Sequence, residues 1–148
     1  MKRHTSLQPL SRDHHNGLMF CFRLNRGLEK NIDETRLKNY VNWFYDNHIQ
    51  EHFSVEEKLI FPILGNEHEL IKTALKQHQH ILKLFTTNTE LSATIKNLAI
   101  QLEAHIRFEE RVLFNEIQLH ASDEILNAIH IAELETSCRV GWEDEFWM

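Results

Sequence analysis

Three side chains that can bind a metal ion recur at intervals of four, at His48, His52 and Glu56. The surrounding stretch, residues 47–62, has no glycine and only a closing proline, so it predicts a helix with all three on one face. Two imidazoles and a carboxylate on an apolar face are costly to bury unless they pair or bind metal. The apolar residues on or beside that face are Val41, Phe44, Val55 and Leu59.

The pattern His-x-x-x-Glu-Glu occurs twice, beginning at His52 and at His105. In each copy the first glutamate lies one turn after the histidine on an apolar stripe, which in the second copy continues to Val112. The second glutamate, Glu57 or Glu110, points about 100° away. Both are predicted to be surface charges.

Two further histidines lie at the centre of apolar stripes. His14 has leucines four residues before and after it, and His15 is the alternative at the stripe's edge, about 100° further round. His78 is central in another stripe, whereas His80 lies about 200° away among lysines and is predicted to be solvated. A single histidine in such a position is more often a hydrogen-bonded core residue than a metal ligand.

Scarce glycine and proline, four and two residues, predict an all-α chain of one domain, residues 1–148. Ser122 is expected to cap the last helix, with Ile125, Leu126, Ile129 and Leu134 facing inward. The aromatic, acidic tail either docks on the helices or binds a partner, and docking is favoured. The predicted helices are 10–27, 33–61, 67–85, 90–119 and 122–135, followed by the tail 136–148.

Composition excludes several classes of partner. The net charge is −6 with scattered basic residues, which argues against nucleic acid and anionic membranes. No apolar run reaches the length of a membrane span, and no signal peptide is recognisable. Cys21 and Cys138 form no disulfide framework. These features predict a cytoplasmic protein, and they leave monomer and homodimer open.

Two ligand pairs from alternate helices and one histidine from each of the others are typical of a metal site inside a four-helix bundle. The alternative is a polar core satisfied by hydrogen bonds. That alternative would bury four histidines and two glutamates at great cost, so the metal interpretation is favoured. The six candidates are His14, His52, Glu56, His78, His105 and Glu109.

Three segments carry a family resemblance: Leu10-Ser-Arg-Asp-His-His, His48-x-x-x-His52-Phe-x-x-Glu56-Glu57 through Phe61-Pro62, and His105-Ile-Arg-Phe-Glu109-Glu110-Arg. The chain resembles the hemerythrin-like, or HHE, cation-binding domain family over essentially its whole length. The resemblance implies an up-and-down four-helix bundle around two non-haem irons. It also implies that His14, His52, His78 and His105 are terminal ligands. Glu56 and Glu109 would be the two bridging carboxylates.

The chain departs from the oxygen-carrying hemerythrins at two places. Those proteins have two histidines one turn apart on the third helix, where this chain has His78 alone. They also use an aspartate five residues after the fourth-helix histidine. The nearest counterparts in this chain are Glu109 and Glu110, and Glu109 is preferred because it lies on the apolar stripe. A fifth histidine, His48, either binds iron or lies one turn away without binding it.

Under the resemblance, the ligand set and an oxo or hydroxo bridge leave about one open position per iron. The predicted function is binding or sensing of a small diatomic molecule, O2 or NO. Manganese or zinc also fits these ligands. The alternatives are a di-iron redox enzyme acting on NO or peroxide, an iron donor for repairing damaged iron–sulfur proteins, and a metal-dependent regulatory module.

Overall fold

The computed structural model describes residues 1–129 and 141–148, and these contain helices and no strand. Four long helices, joined by short connections, form an up-and-down bundle, as predicted. No helix of the described residues is both long and apolar enough to cross a bilayer. The helices are α1 (Gln8–Glu29), α2 (34–60), α3 (Glu69–Thr86), α4 (91–120) and the short α5 (Asp123–Asn127).

The predicted boundaries of the four long helices lie within two residues of these, as is usual for helix ends. The fifth helix is shorter than predicted and ends at Asn127. Of the residues predicted to face inward, Leu126 is buried, as expected, whereas Ile125 is exposed. Residues 130–140, which include the predicted end of that helix and the start of the tail, lie outside the described residues.

Helices α2 and α4 are interrupted by π-helical turns. In α2 these are Tyr45–Ile49 and Glu56–Ile60, and in α4 there is one, Glu109–Leu113. A π turn closes hydrogen bonds from i to i+5, so it adds a residue and shifts the buried face. Consequently Leu59 and Val112, both predicted inward, are 42% and 44% exposed. The next residues, Ile60 and Leu113, are fully buried instead.

The apolar core consists of two clusters that lie towards opposite ends of the bundle. One contains Phe20, Phe44 and Leu102, and the other contains Leu10 and Phe114. The six candidate ligands fall between the two clusters along each helix, so apolar packing encloses a polar layer from both ends.

The tail, residues 141–148, packs on α1 and α2. Phe146 is buried against Tyr40, and Arg36 on α2 forms an ion pair of 2.7 Å with Asp144. Trp142 packs beside Trp43 at 5.6 Å between ring centroids, and Trp147 lies at the same distance from Tyr40. The chain's three tryptophans therefore belong to one aromatic cluster. This cluster lies at the end of the bundle where the tail packs on α1 and α2.

Phe146→Ala is expected to lower the free energy of unfolding by about 3 kcal/mol, because a buried aromatic ring is removed. Met148→Ala is the matched control, since Met148 is exposed in the same tail and should change stability by less than about 0.5 kcal/mol. Urea unfolding followed by circular dichroism measures both. Equal, small effects would show that the tail contributes little to stability.

Candidate metal centre

The polar layer contains six buried side chains contributed by all four long helices. They form two groups of four that share Glu56 and Glu109, and within each group the possible ligand atoms lie within 4.8 Å of one another. We define the first position as the space between His14, His52 and the two glutamates. The second position lies between His78, His105 and the same two glutamates.

The Nε2 atoms of the histidines face the shared glutamates. Nε2 of His14 and of His105 each lie 3.1 Å from Oε1 of Glu109. On the opposite side, Nε2 of His78 is 3.1 Å and Nε2 of His52 is 3.4 Å from the Glu56 carboxylate. Every imidazole therefore directs the same ring nitrogen into the centre of the layer.

Four of these central atoms are close to one another but have no hydrogen bond within the described chain. They are Nε2 of His52, Nε2 of His105, Oε2 of Glu56 and Oε2 of Glu109. Buried polar atoms are almost always satisfied, so four orphans in one small space require a partner. Nitrogen and carboxylate oxygen atoms are suitable ligands for a transition metal. The donor set therefore fits a pair of metal ions.

Each Nδ1 atom is held by a second polar side chain on a different helix. Nδ1 of His14 lies 3.2 Å from Glu110, and Nδ1 of His78 lies 2.7 Å from Glu57. Glu57 is exposed, as predicted for a surface charge, whereas Glu110 is half-buried, and each also contacts a histidine of the layer. A residue 100° from the apolar stripe lies at the boundary with the neighbouring helix. A glutamate there is long enough to reach the imidazole of a histidine on that helix.

The other two Nδ1 partners were not predicted from the sequence. Nδ1 of His52 lies 2.7 Å from Asp13, and Nδ1 of His105 lies 2.6 Å from Oε1 of Gln77. An acceptor at Nδ1 favours the tautomer with a proton there, which leaves the Nε2 lone pair for a metal. The only sequence signal for these partners is position, since Asp13 directly precedes His14 and Gln77 directly precedes His78.

The remaining candidates lie outside both groups. His15 is exposed on α1, and His80 is exposed on α3. His48 is buried, but its Nδ1 is 3.8 Å from Asp13 and its ring stacks on Phe44 at 4.7 Å. The π turn Tyr45–Ile49 contains His48 and ends just before the helical stretch that carries His52.

The family model of the Hemerythrin HHE cation binding domain matches residues 5–117. The chain belongs to this family. No curated protein and no solved structure gives a significant match. The family and the buried histidine and glutamate groups together identify a metal-binding, hemerythrin-like protein.

Hydrogen bonds within the layer favour protonated histidines, which balance part of the buried negative charge. Burial alone would lower the pKa of His14 and of His78. Hydrogen bonds to Glu109 and Glu110, and to Glu56 and Glu57, outweigh burial and raise the pKa of both histidines to about 9.

The two shared carboxyl groups differ. Burial and the neighbouring Glu109 raise the pKa of Glu56 well above its usual value. Burial would also raise the pKa of Glu109, but His105 and His14 hold it well below the usual value. Burial lowers the pKa of His105 itself. The layer is thus rich in negative charge and attracts protons where cations would bind.

A small apolar cavity adjoins the first position. His14, His52 and Gly17 line it, together with Phe44 and Leu102, and it holds about 10 Å³ of space for the centre of a water-sized molecule. That is roughly enough room for one such molecule.

An outer cleft of about 430 Å³ lies between α1, α2 and the tail. Phe44 and His48 line both this cleft and the small cavity, so these two side chains separate them.

The metal-free protein is expected to lose stability as the pH rises from 6.5 to 9. His14 and His78 keep protons in the folded chain up to a pKa of about 9, whereas the unfolded chain releases them near 6.5. Their contribution to the free energy of unfolding is therefore complete below pH 6.5 and lost above pH 9. Between these values the free energy of unfolding falls by up to about 1.4 kcal/mol for each group and each pH unit. The raised pKa of Glu56 acts in the same direction.

Urea unfolding at pH 6.5 and pH 9 in the presence of a chelator measures this loss. His14→Gln and His78→Gln should each flatten the dependence, because glutamine carries no titrating proton. Equal stability of the unsubstituted protein at both pH values would contradict the assignment.

Proposed function

We propose that this chain is a non-haem di-iron protein that binds a small diatomic molecule, O2 or NO, inside its helical bundle. The observation that supports this proposal is the pair of four-residue groups sharing two buried glutamates, with four central atoms that make no hydrogen bond in the described chain. His14 and His52 would hold one iron, and His78 and His105 the other. Glu56 and Glu109 would bridge them.

The donor set supports iron. Mixed nitrogen and oxygen ligation without thiolate suits iron or manganese, and zinc also accepts it. When bound, iron supplies redox activity and affinity for diatomic gases, which zinc lacks. The Nδ1 acceptors keep each ring oriented, and the carboxylates among them increase the basicity of Nε2.

The cavity supports a diatomic ligand. Its space of about 10 Å³ for the centre of a water-sized molecule is adequate for one small molecule and too small for an organic substrate. Its apolar walls, which include Phe44, Ile49, Leu102 and Ile106, exclude bulk water from the first position. A gas molecule partitions readily into such a space, whereas a charged substrate does not.

The burial of Cys21 argues against redox catalysis that depends on this thiol. Cys21 is buried in the apolar core and does not line the cavity. Burial raises the pKa of the thiol to about 12, so it carries almost no thiolate near neutral pH. Reversible ligand binding therefore has more support than the redox-enzyme alternative in which this cysteine participates.

His52→Ala and Glu109→Ala are each expected to reduce the metal content from about two ions per chain to one or fewer, and to lower thermal stability. His15→Ala and His80→Ala are the controls, because both side chains are exposed and lie outside the two groups. Elemental analysis of untagged protein gives the metal content. Full metal content in both test variants would exclude the proposed site.

An optical titration tests ligand binding. Iron-loaded, reduced protein should change its spectrum on addition of NO or O2 and recover when the gas is removed. A spectrum that is insensitive to both gases would reject diatomic binding while leaving the metal site in place.

Gly17→Ala is expected to weaken NO binding or slow it at least about tenfold, with the metal content unchanged. A Cβ at Gly17 would lie 2.6 Å from Cδ1 of Ile106, so that side chain must shift next to a cavity it also lines. Gly141→Ala is the matched control, because a Cβ there meets nothing within 4 Å. Stopped-flow mixing with NO compares the two variants. Equal rates would show that the cavity is not the binding space.

A further inference from the structure

The two metal positions are built from corresponding residues. A histidine of α1 in one position corresponds to a histidine of α3 in the other, and the His-x-x-x-Glu-Glu segments of α2 and α4 correspond to each other. Every Nδ1 contact has its counterpart, so the layer has an approximate two-fold arrangement. The pairs are His14 and His78, His52 and His105, Glu56 and Glu109, Glu57 and Glu110, and Asp13 and Gln77.

The last pair breaks the equivalence. Asp13 accepts the Nδ1 proton of His52 at 2.7 Å, and its side chain is only 7% exposed. Gln77 occupies the corresponding place at 2.6 Å from Nδ1 of His105, but it is neutral. The geometry is nearly the same and the charge differs by one. A carboxylate behind an imidazole makes Nε2 a stronger ligand than an amide does.

The neighbouring charges of residues 1–129 and 141–148 leave this difference in charge between Asp13 and Gln77 in place. Glu110, near the first position, pairs with Arg3 at 3.0 Å, and Glu57, near the second, is 41% exposed to water, so both of these charges are attenuated. Among the described residues, Asn16 donates to the other oxygen of Asp13 at 3.1 Å, and Nδ1 of His48 lies 3.8 Å from it.

Near the second position, Lys76 lines the same surface pocket as Gln77 and His105. Lys76 is exposed, so water screens its positive charge, and the part that remains disfavours a cation there. The contribution of Lys76 therefore has the same sign as the difference between Asp13 and Gln77.

We infer that Asp13 and Gln77 are positioning residues that make the two metal positions unequal, so that the first position binds a divalent metal ion before the second. The inference rests on the proposed di-metal site. Removing a carboxylate behind a metal-binding histidine commonly lowers metal affinity by about 10- to 100-fold. The first ion is therefore expected to bind at least about tenfold more tightly than the second.

Isosteric exchanges test the inference. Asp13→Asn makes the first position resemble the second, Gln77→Glu makes the second resemble the first, and the double variant reverses the charges. Each retains an acceptor oxygen for Nδ1. Anaerobic calorimetric titration of the full chain with Fe²⁺ gives the two affinities. Mössbauer spectra after half-loading with ⁵⁷Fe show whether one environment or both are occupied.

In the unsubstituted protein, two binding steps and a single Mössbauer doublet at half-loading are expected. Asp13→Asn should weaken the first step by about 10- to 100-fold, and Gln77→Glu should strengthen the second. Each single variant should then show two doublets at half-loading, and the double variant should show the doublet absent from half-loaded unsubstituted protein.

Two contrary results are distinguishable. Equal affinity for both ions in the unsubstituted protein would overturn the inference and leave the di-metal site standing. The same conclusion would follow if the two positions filled in an unchanged order in both Gln77→Glu and the double variant. Binding of fewer than two ions by the unsubstituted chain would overturn the di-metal site and this inference together.

Discussion

Two glutamates with no solvent exposure, Glu56 and Glu109, determine the rest of this structure. Carboxylates at the centre of a bundle are strongly unfavourable unless positive charge or hydrogen-bond donors surround them. Each of the four long helices contributes one histidine directed at them. The apolar clusters on either side exclude water, which strengthens every electrostatic interaction within the layer. The bundle is thus organised around a site that attracts cations.

The π turns connect this site to the packing of α2 and α4. Of the three π turns, one begins at Glu56 and one at Glu109, so each helix changes its hydrogen-bond period at its buried carboxylate. Beyond each turn, the buried face is displaced by one residue. Irregular turns of this kind are common at functional sites and rare elsewhere. Both shared carboxylates thus lie at a departure from regular helical geometry, and the helical segments on either side of each still pack.

The sequence was sufficient to predict the helices and the six central residues, because a polar residue in an apolar stripe is visible in one dimension. It was insufficient for Glu57, Glu110, Asp13 and Gln77, because their roles depend on which helices are neighbours and how close they lie. The inward orientation of Leu59 and Val112 was predicted from a period of 3.6 residues, which the π turns break. The position of a residue in an apolar stripe shows whether it is buried, and the contacts between helices determine which groups it binds.

The placement of the tryptophans affects how this protein would be studied. All three belong to the aromatic cluster formed by α2 and the tail, and none contributes to the two groups of possible ligands. Intrinsic fluorescence therefore reports on one end of the molecule, whereas far-ultraviolet circular dichroism averages over every helix. If the tail separates before the bundle unfolds, the two signals will give different midpoints. Agreement between them would show that tail and bundle unfold as one cooperative unit.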